Sequence, residues 1–331
     1  MDREQLTEDL PVGGQAVIEG VMMRVPGKIV TAVRASDQEI VLREEEYDSL
    51  SRRYRILNLP ILCGAVSFFE MMIIGLKALN FSADVAMQYS EDEQGNAAAG
   101  ESLVGRDKGG RENSWKEQAA LGATLVFSLG LGIVLFFFLP LLVAQFLGLQ
   151  QNALEFNLVA GAVRTTLLVL YMWTISQWRE IQSVFQYHGA EHKSIFALEA
   201  GAELTVVAAR GFGRLHPRCG TSFMLIVVLF AIAAFACVDA LFVVVVGHTQ
   251  SLFERFATHF SLLPFIAGIS FELLKISGKK RNHPLTRVLI APGLWLQRIT
   301  TREPNDDQLE VALVALRCVL GEEAKAVQVI D

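Results

Sequence analysis

The residues best suited to chemistry in this 331-residue chain are gathered in Tyr187-His188-Gly189-Ala190-Glu191-His192-Lys193. On a helix, His188 and His192 are one turn apart, and Glu191 lies between them on the same side. Two neutral imidazoles so placed can hold a metal, and H-x-x-E-H also occurs as a zinc-protease signature. Such a centre needs a third protein ligand and leaves its fourth position open. The glutamate can then act as a general base toward water. Further along, His216-Pro217-Arg218-Cys219 supplies an imidazole and a thiol, and Glu272 closes a later apolar run. The expected centre is a divalent metal, zinc by donor type, on His188, His192 and one of His216, Cys219 or Glu272, with Glu191 catalytic. The competing reading is plain: the imidazoles satisfy carbonyls or headgroups at an interface, Cys219 is a small packing residue, and Glu272 faces water.

The elements that must position these residues belong to a membrane protein. Hydrophobic residues make up 52% of the chain and charged residues only 19%, against about a quarter charged in soluble domains. A net charge of −6 provides no basic field for nucleic acid. Cys63, Cys219, Cys237 and Cys318 form no C-x-x-C pair, which argues against a disulfide framework and suits a reducing compartment. Met1 to Leu10 is polar and acidic, without a signal-peptide pattern, so insertion is expected to rely on internal helices.

The fold class expected is a mainly α membrane protein: four transmembrane helices, a non-spanning hydrophobic helical segment, a small N-terminal β unit and a C-terminal cytoplasmic helix. Residues 1–57 form the β-rich unit, because short β-prone runs from 12 to 47 are broken by Pro26-Gly27 and Ser36-Asp37-Gln38. That sheet is too small for a core of its own and must pack on something else. Residues 58–88 are apolar but interrupted by Glu70, Lys77 and Asp84; a helix pair, a re-entrant segment or an interfacial helix all fit. Residues 89–117 read as a flexible linker. Residues 118–275 hold the membrane domain, with crossings at 118–154, 156–178, 219–247 and 256–274 and the histidine-containing segment at 175–218. Residues 276–331 hold an interfacial stretch at 289–299 and a helix after Thr300-Thr301-Arg302-Glu303-Pro304, with an apolar stripe from Leu309 to Val319.

Basic residues set the orientation. They fill 1–57, 89–117, 175–218 and 275–302, while 148–155 and 248–255 contain only Arg255. Both termini are therefore expected in the cytoplasm, and a full crossing by 58–88 would break the pattern. Arg164 and Asp239, lone charges at similar depth toward the outer side, are expected to pair, with snorkelling of Arg164 as the alternative. The glycines of Gly13-Gly14-Gln15-Ala16-Val17-Ile18-Glu19-Gly20 lack a following G-K-[S/T], so they mark turns or close backbone approach rather than a phosphate loop.

Several strings, in order, resemble the YqhQ-like family of bacterial membrane proteins: Gly14-Gln15-Ala16-Val17-Ile18-Glu19-Gly20-Val21-Met22-Met23-Arg24, the Tyr187 to Lys193 motif, His216-Pro217-Arg218-Cys219-Gly220-Thr221-Ser222, Ala267-Gly268-Ile269-Ser270-Phe271-Glu272 and Thr300-Thr301-Arg302-Glu303-Pro304. The resemblance runs over nearly the whole chain. It implies a bacterial inner-membrane location and a predicted metal-dependent enzyme, and it implies no substrate.

Two function classes compete. One is a metal-dependent hydrolase acting on a lipid-linked or membrane-proximal substrate. The other is a non-catalytic adaptor that presents its cytoplasmic parts to a partner protein. A transporter fits poorly, because two charges near one face offer no midplane path.

Overall fold

The computed structural model describes residues 12–36, 39–59, 62–94, 115–217, 219–279, 284–322 and 327–330. Outside them fall the acidic stretch Met1 to Leu10, most of the expected linker, Arg218 and the basic Lys280-Arg281. The chain divides into two units. The first comprises Met1–Glu91, Val169–Phe230 and Leu262–Asp331; the second comprises Asp92–Leu168 and Ala231–Ser261.

In the first unit, β1 (Gly13–Val17), β2 (Gly20–Val25), β3 (Gly27–Ser36) and β4 (Glu39–Tyr47) form an antiparallel meander. The small N-terminal antiparallel sheet expected from the turn residues is present. Pro26-Gly27 makes the β2–β3 turn, where Gly27 has φ of 99°, a conformation that glycine adopts without steric cost. The sequence reading missed β5 (Val327–Ile330), which lies parallel beside β4.

Alternation along the strands gives the sheet two covered faces. Val21, Met23, Val30, Ala32, Ile40 and Leu42 face helices α5 (Arg179–Glu199) and α10 (Asp306–Val319). Met22, Ile29, Val33 and Val41 point the other way, onto Ala78 and Val85 of helix α1 (Leu62–Gln94). Ser82 of α1 also accepts the Ile18 N–H at 3.2 Å. Helix α10 is opened by a capping box: Asn305 accepts from the Gln308 N–H at 2.8 Å, and the Gln308 side chain accepts from the Asn305 N–H at 3.0 Å.

The remaining helices are α2 (Trp115–Ile133), α3 (Leu139–Phe146), α4 (Ala153–Ile175), α6 (Val206–Arg210), α7 (Gly220–Val246), α8 (Leu252–Lys279) and α9 (Pro284–Thr300). A π-helical turn, Val134–Phe138, joins α2 to α3 just ahead of Pro140. Proline has no N–H to give the helical ladder, and a local slip absorbs the missing bond. Among the described residues, five helical stretches are long and apolar enough to cross a membrane: Leu62–Gln88, which is the segment expected not to span, and Gly122–Phe146, Ala153–Ile175, Met224–Val246 and Leu252–Leu273.

The second unit corrects the expected Arg164–Asp239 pair. Asp239 is 1% exposed and accepts from Asn157 Nδ2 at 2.8 Å. Its other partners are His259 Nε2 at 2.8 Å and Arg255 Nε at 3.5 Å. His259 stacks on Phe235 with centroids 4.0 Å apart, and Arg255 lies 3.7 Å over the Phe156 ring. Arg164 instead donates from Nε to Phe136 O at 3.0 Å and lies over the rings of Phe137 and Phe235. Equal depth along two helices does not set which way each side chain turns around its own axis.

Candidate metal centre

Helix α5 places His188, Glu191 and His192 on one side, as the four-residue spacing requires. The two imidazole centroids are 4.5 Å apart. Cys219 stands immediately before the first residue of α7 and turns its sulfur to them. One ligand atom each from His188, His192 and Cys219 lies within 4.8 Å of the others.

The backbone around these rings decides what they can do. His188 Nδ1 is 2.8 Å from Thr300 O, and His192 Nδ1 is 2.5 Å from Arg214 O. A carbonyl only accepts, so both rings carry their proton on Nδ1 when neutral. Each Nε2 then presents a lone pair. That of His188 lies 3.1 Å from Cys219 Sγ. That of His192 is buried, faces the Cys219 sulfur and makes no well-formed hydrogen bond with any described residue. An imidazole anchored through one nitrogen to a carbonyl, with the other nitrogen open, is the usual arrangement of a metal-ligating histidine. Together with a thiolate, the donor set is two nitrogens and one sulfur, which suits zinc.

The carbonyls are themselves held in place. Gln297 grips the His216 backbone from both sides: its Oε1 accepts the His216 N–H and its Nε2 donates to His216 O, each at 2.8 Å. Arg214 donates to Thr301 O. The Arg302 N–H donates to Phe185 O at 2.8 Å, tying the strand-like segment after α9 to α5. Gly189 permits that close approach, because a Cβ there would run into Arg302 O.

Glu191 is 6% exposed and forms no hydrogen bond with any described residue. Burial pushes its carboxyl up to about 8, with the Cys219 charge adding to the rise and His188 opposing it. Burial works against a charged His188, yet the Cys219 thiolate beside it, Glu191 and the Thr300 carbonyl raise it to about 9. Burial also resists the Cys219 thiolate, but the two imidazoles outweigh it and hold the thiol well below its ordinary value. His192 is lowered, mainly by burial and then by the charge of His188. Without an ion, the group is an imidazolium–thiolate pair beside a neutral imidazole and a protonated carboxyl.

The structure therefore brings together His188, His192 and Cys219, with Glu191 alongside. His216 stands apart from this group: its ring is 5.6 Å from that of His192, packs edge-on against Phe196, and puts Nε2 3.2 Å from Glu199 Oε1. Glu272, half-buried on α8, is also outside it. Thr300 O, Arg214 O and Gln297 were invisible to sequence reasoning, because backbone carbonyls carry no residue signature. Gln297 had one available signal, a lone amide inside the apolar run of 289–299.

These features define a helical protein of membrane type with a two-faced accessory sheet and a buried His–His–Cys group. The chain belongs to the family described as protein of unknown function DUF1385, which matches residues 59–322. It is 33% identical over 326 residues to "Uncharacterized protein YqhQ" of Bacillus subtilis (strain 168), covering 96% of this chain and 94% of that protein. No solved structure matches it.

Proposed function

We propose that this chain is an integral membrane protein that holds zinc on His188, His192 and Cys219 at the cytoplasmic membrane surface, where it acts as a hydrolase. The observation that carries the reading is the convergence of three ligand atoms: His192 Nδ1 is committed to Arg214 O, and its buried Nε2, which makes no well-formed hydrogen bond with a described residue, is turned to the Cys219 sulfur that His188 also meets. A buried acceptor without a well-formed hydrogen bond costs about 1–3 kcal/mol, and a cation removes that cost. The ion would supply Lewis-acid polarisation of a substrate oxygen. Glu191 is the proton carrier, because it is close to the ligands, makes no hydrogen bond with a described residue and is pushed up to about 8 by burial. An open hollow of about 660 Å³ between Lys193, Phe196, Phe212, Arg214 and Glu303 adjoins the residue whose carbonyl anchors His192. It favours a substrate with an anionic group and an apolar portion.

Elemental analysis of the purified chain tests this directly. About one zinc per chain is expected, falling to background in His192→Ala; a metal-free wild-type protein that keeps its function overturns the reading. One observation favours a second reading. The 3.1 Å separation of Cys219 Sγ and His188 Nε2 also suits a thiol nucleophile with its base. That reading leaves His192 Nε2 without a well-formed hydrogen bond. It predicts a covalent adduct on Cys219 with acyl-type probes that zinc does not block.

The same reading sets the depth of α1. From Ile74 to Val85 this helix is covered by the sheet. Leu62 to Ile73 amounts to about 18 Å of helix, short of a bilayer core of ~30 Å. The approach to it, through Tyr54, Ile56 and Leu59, is exposed and apolar. We take α1 as half-inserted, which leaves four crossings and both termini on the cytoplasmic side.

A further inference from the structure

A second, partly open hollow lies far in sequence from the metal ligands. A cavity of about 170 Å³ is lined by Arg24 and Gly27 at the β2–β3 turn, Tyr47 and Ser49 at the end of β4, Ser67 and Glu70 of α1, and Phe271 of α8. Two opposite charges line it without touching. Arg24 forms no hydrogen bond or ion pair with any described residue. Glu70 is 8% exposed and uses its oxygens on Ser49 Oγ at 2.9 Å and Leu50 N at 2.6 Å. The Tyr47 hydroxyl is a third partner of Glu70, so of about four lone-pair positions on the carboxylate roughly one is left toward the cavity.

A buried guanidinium and a buried carboxylate normally close on each other, because isolation of either is costly. Here Arg24 and Glu70 attract each other across the cavity without an ion-pair contact, and a ligand that carries both charges would bridge them. A phosphate fits the planar fork of Arg24. A primary ammonium, with three N–H donors, fits Glu70. A quaternary ammonium has nothing to donate there.

We infer that this cavity is a binding site for a phosphoethanolamine group, with the phosphate on Arg24 and the ammonium on Glu70. The group has two sources, the headgroup of a bilayer phospholipid or a free phosphoethanolamine compound. The lipid source rests on the membrane setting proposed above. In that setting the end of β4 and the Glu70 turn of α1 lie where the sheet meets the bilayer, at headgroup level.

The test uses the full chain in maltoside detergent. Native mass spectrometry after exposure to phosphatidylethanolamine, phosphatidylcholine or phosphatidylglycerol counts retained lipids, and titration with glycerophosphoethanolamine probes the headgroup alone. One retained phosphatidylethanolamine per chain is expected, with Arg24→Gln and Glu70→Gln each weakening retention by about tenfold or more. Circular dichroism and size-exclusion profiles check that the variants fold. Binding of glycerophosphoethanolamine, lost in both variants, without preference for the lipid supports the site and assigns the free source. Equal retention of all three lipids overturns the assignment, as does inorganic phosphate binding as tightly as glycerophosphoethanolamine, or folded variants that bind like wild type. None of these outcomes bears on zinc content, so failure here leaves the metal reading standing, and the reverse also holds.

Discussion

Gly14 of β1 sits directly against Glu191 of α5: a Cβ at Gly14 would lie 2.9 Å from the Glu191 carboxyl carbon. The N-terminal sheet thus forms one wall of the proposed centre. Gly14→Ala should push the flexible carboxyl aside rather than break the fold. Zinc content and unfolding temperature should stay near wild type. The infrared carboxyl signal of metal-free protein should show Glu191 titrating nearer its ordinary range, because its burial is relaxed. An unchanged carboxyl signal would remove the sheet from the site.

Gly189→Ala should behave differently. The added methyl meets Arg302 O, a backbone atom that cannot swing away. Overpacking of this kind costs about 1–3 kcal/mol. It should also displace Thr300 O from His188 and weaken zinc binding, measured by competition with a chromophoric chelator.

Metal affinity should rise with pH. Zinc binds the neutral imidazole, and His188 in the metal-free chain holds its extra proton up to about pH 9. Below that pH the ion must displace the proton, so apparent affinity should fall by about tenfold per pH unit. Above it the dependence should flatten. Cys219, already held low, adds no second proton near neutrality. Potentiometric zinc titration from pH 6 to 10 checks the slope. Cobalt substitution should give a thiolate-to-metal charge-transfer band that disappears in Cys219→Ser.

Asp239 and Arg164 should separate cleanly in stability measurements. Asp239→Asn leaves Arg255 without its counter-charge in an apolar interior, where breaking a buried pair costs about 3–5 kcal/mol. Arg164→Met loses one carbonyl bond and ring contacts worth about 0.5–2 kcal/mol each. A double-mutant cycle should find coupling for Asp239 with Arg255 and none for Asp239 with Arg164. Unfolding in mixed micelles provides the readout.

Topology reporters should agree with a half-inserted α1. Alkaline phosphatase fused at Thr249 should be active in the periplasm, and fusions at Gly211 or after Ile330 inactive. Activity at Gly211 would mean that α1 crosses fully.

Much of this was legible before any coordinates. The β-prone runs around Val21 to Met23 and Lys28 to Arg34, broken by Pro26-Gly27, let the strands be read, and the one-turn spacing of His188 and His192 was equally plain. Cys219 and His216 were equally good third ligands on paper. Glu199, one element away, decides between them, and no local pattern announces that contact. The partners of Asp239 were passed over because an amide and an imidazole, Asn157 and His259, do not interrupt an apolar run as conspicuously as Asp, Glu, Lys or Arg do. For α1, hydropathy reports that a face is apolar without saying whether lipid or protein covers it. Here strands β1–β4 cover part of it.

The pairing of β5 with β4 has a consequence for biogenesis. Tyr47 and Val327 are separated by 280 residues, so at about 5–20 residues per second a ribosome needs roughly 14–56 s between them. During that interval β4 offers an open edge to any passing strand, a hazard for a nascent chain. Thr300 emerges almost as late. On the proposed reading, insertion into the lipid would precede closure of the histidine pocket, and metal loading would be a late maturation step that reports synthesis past Thr300.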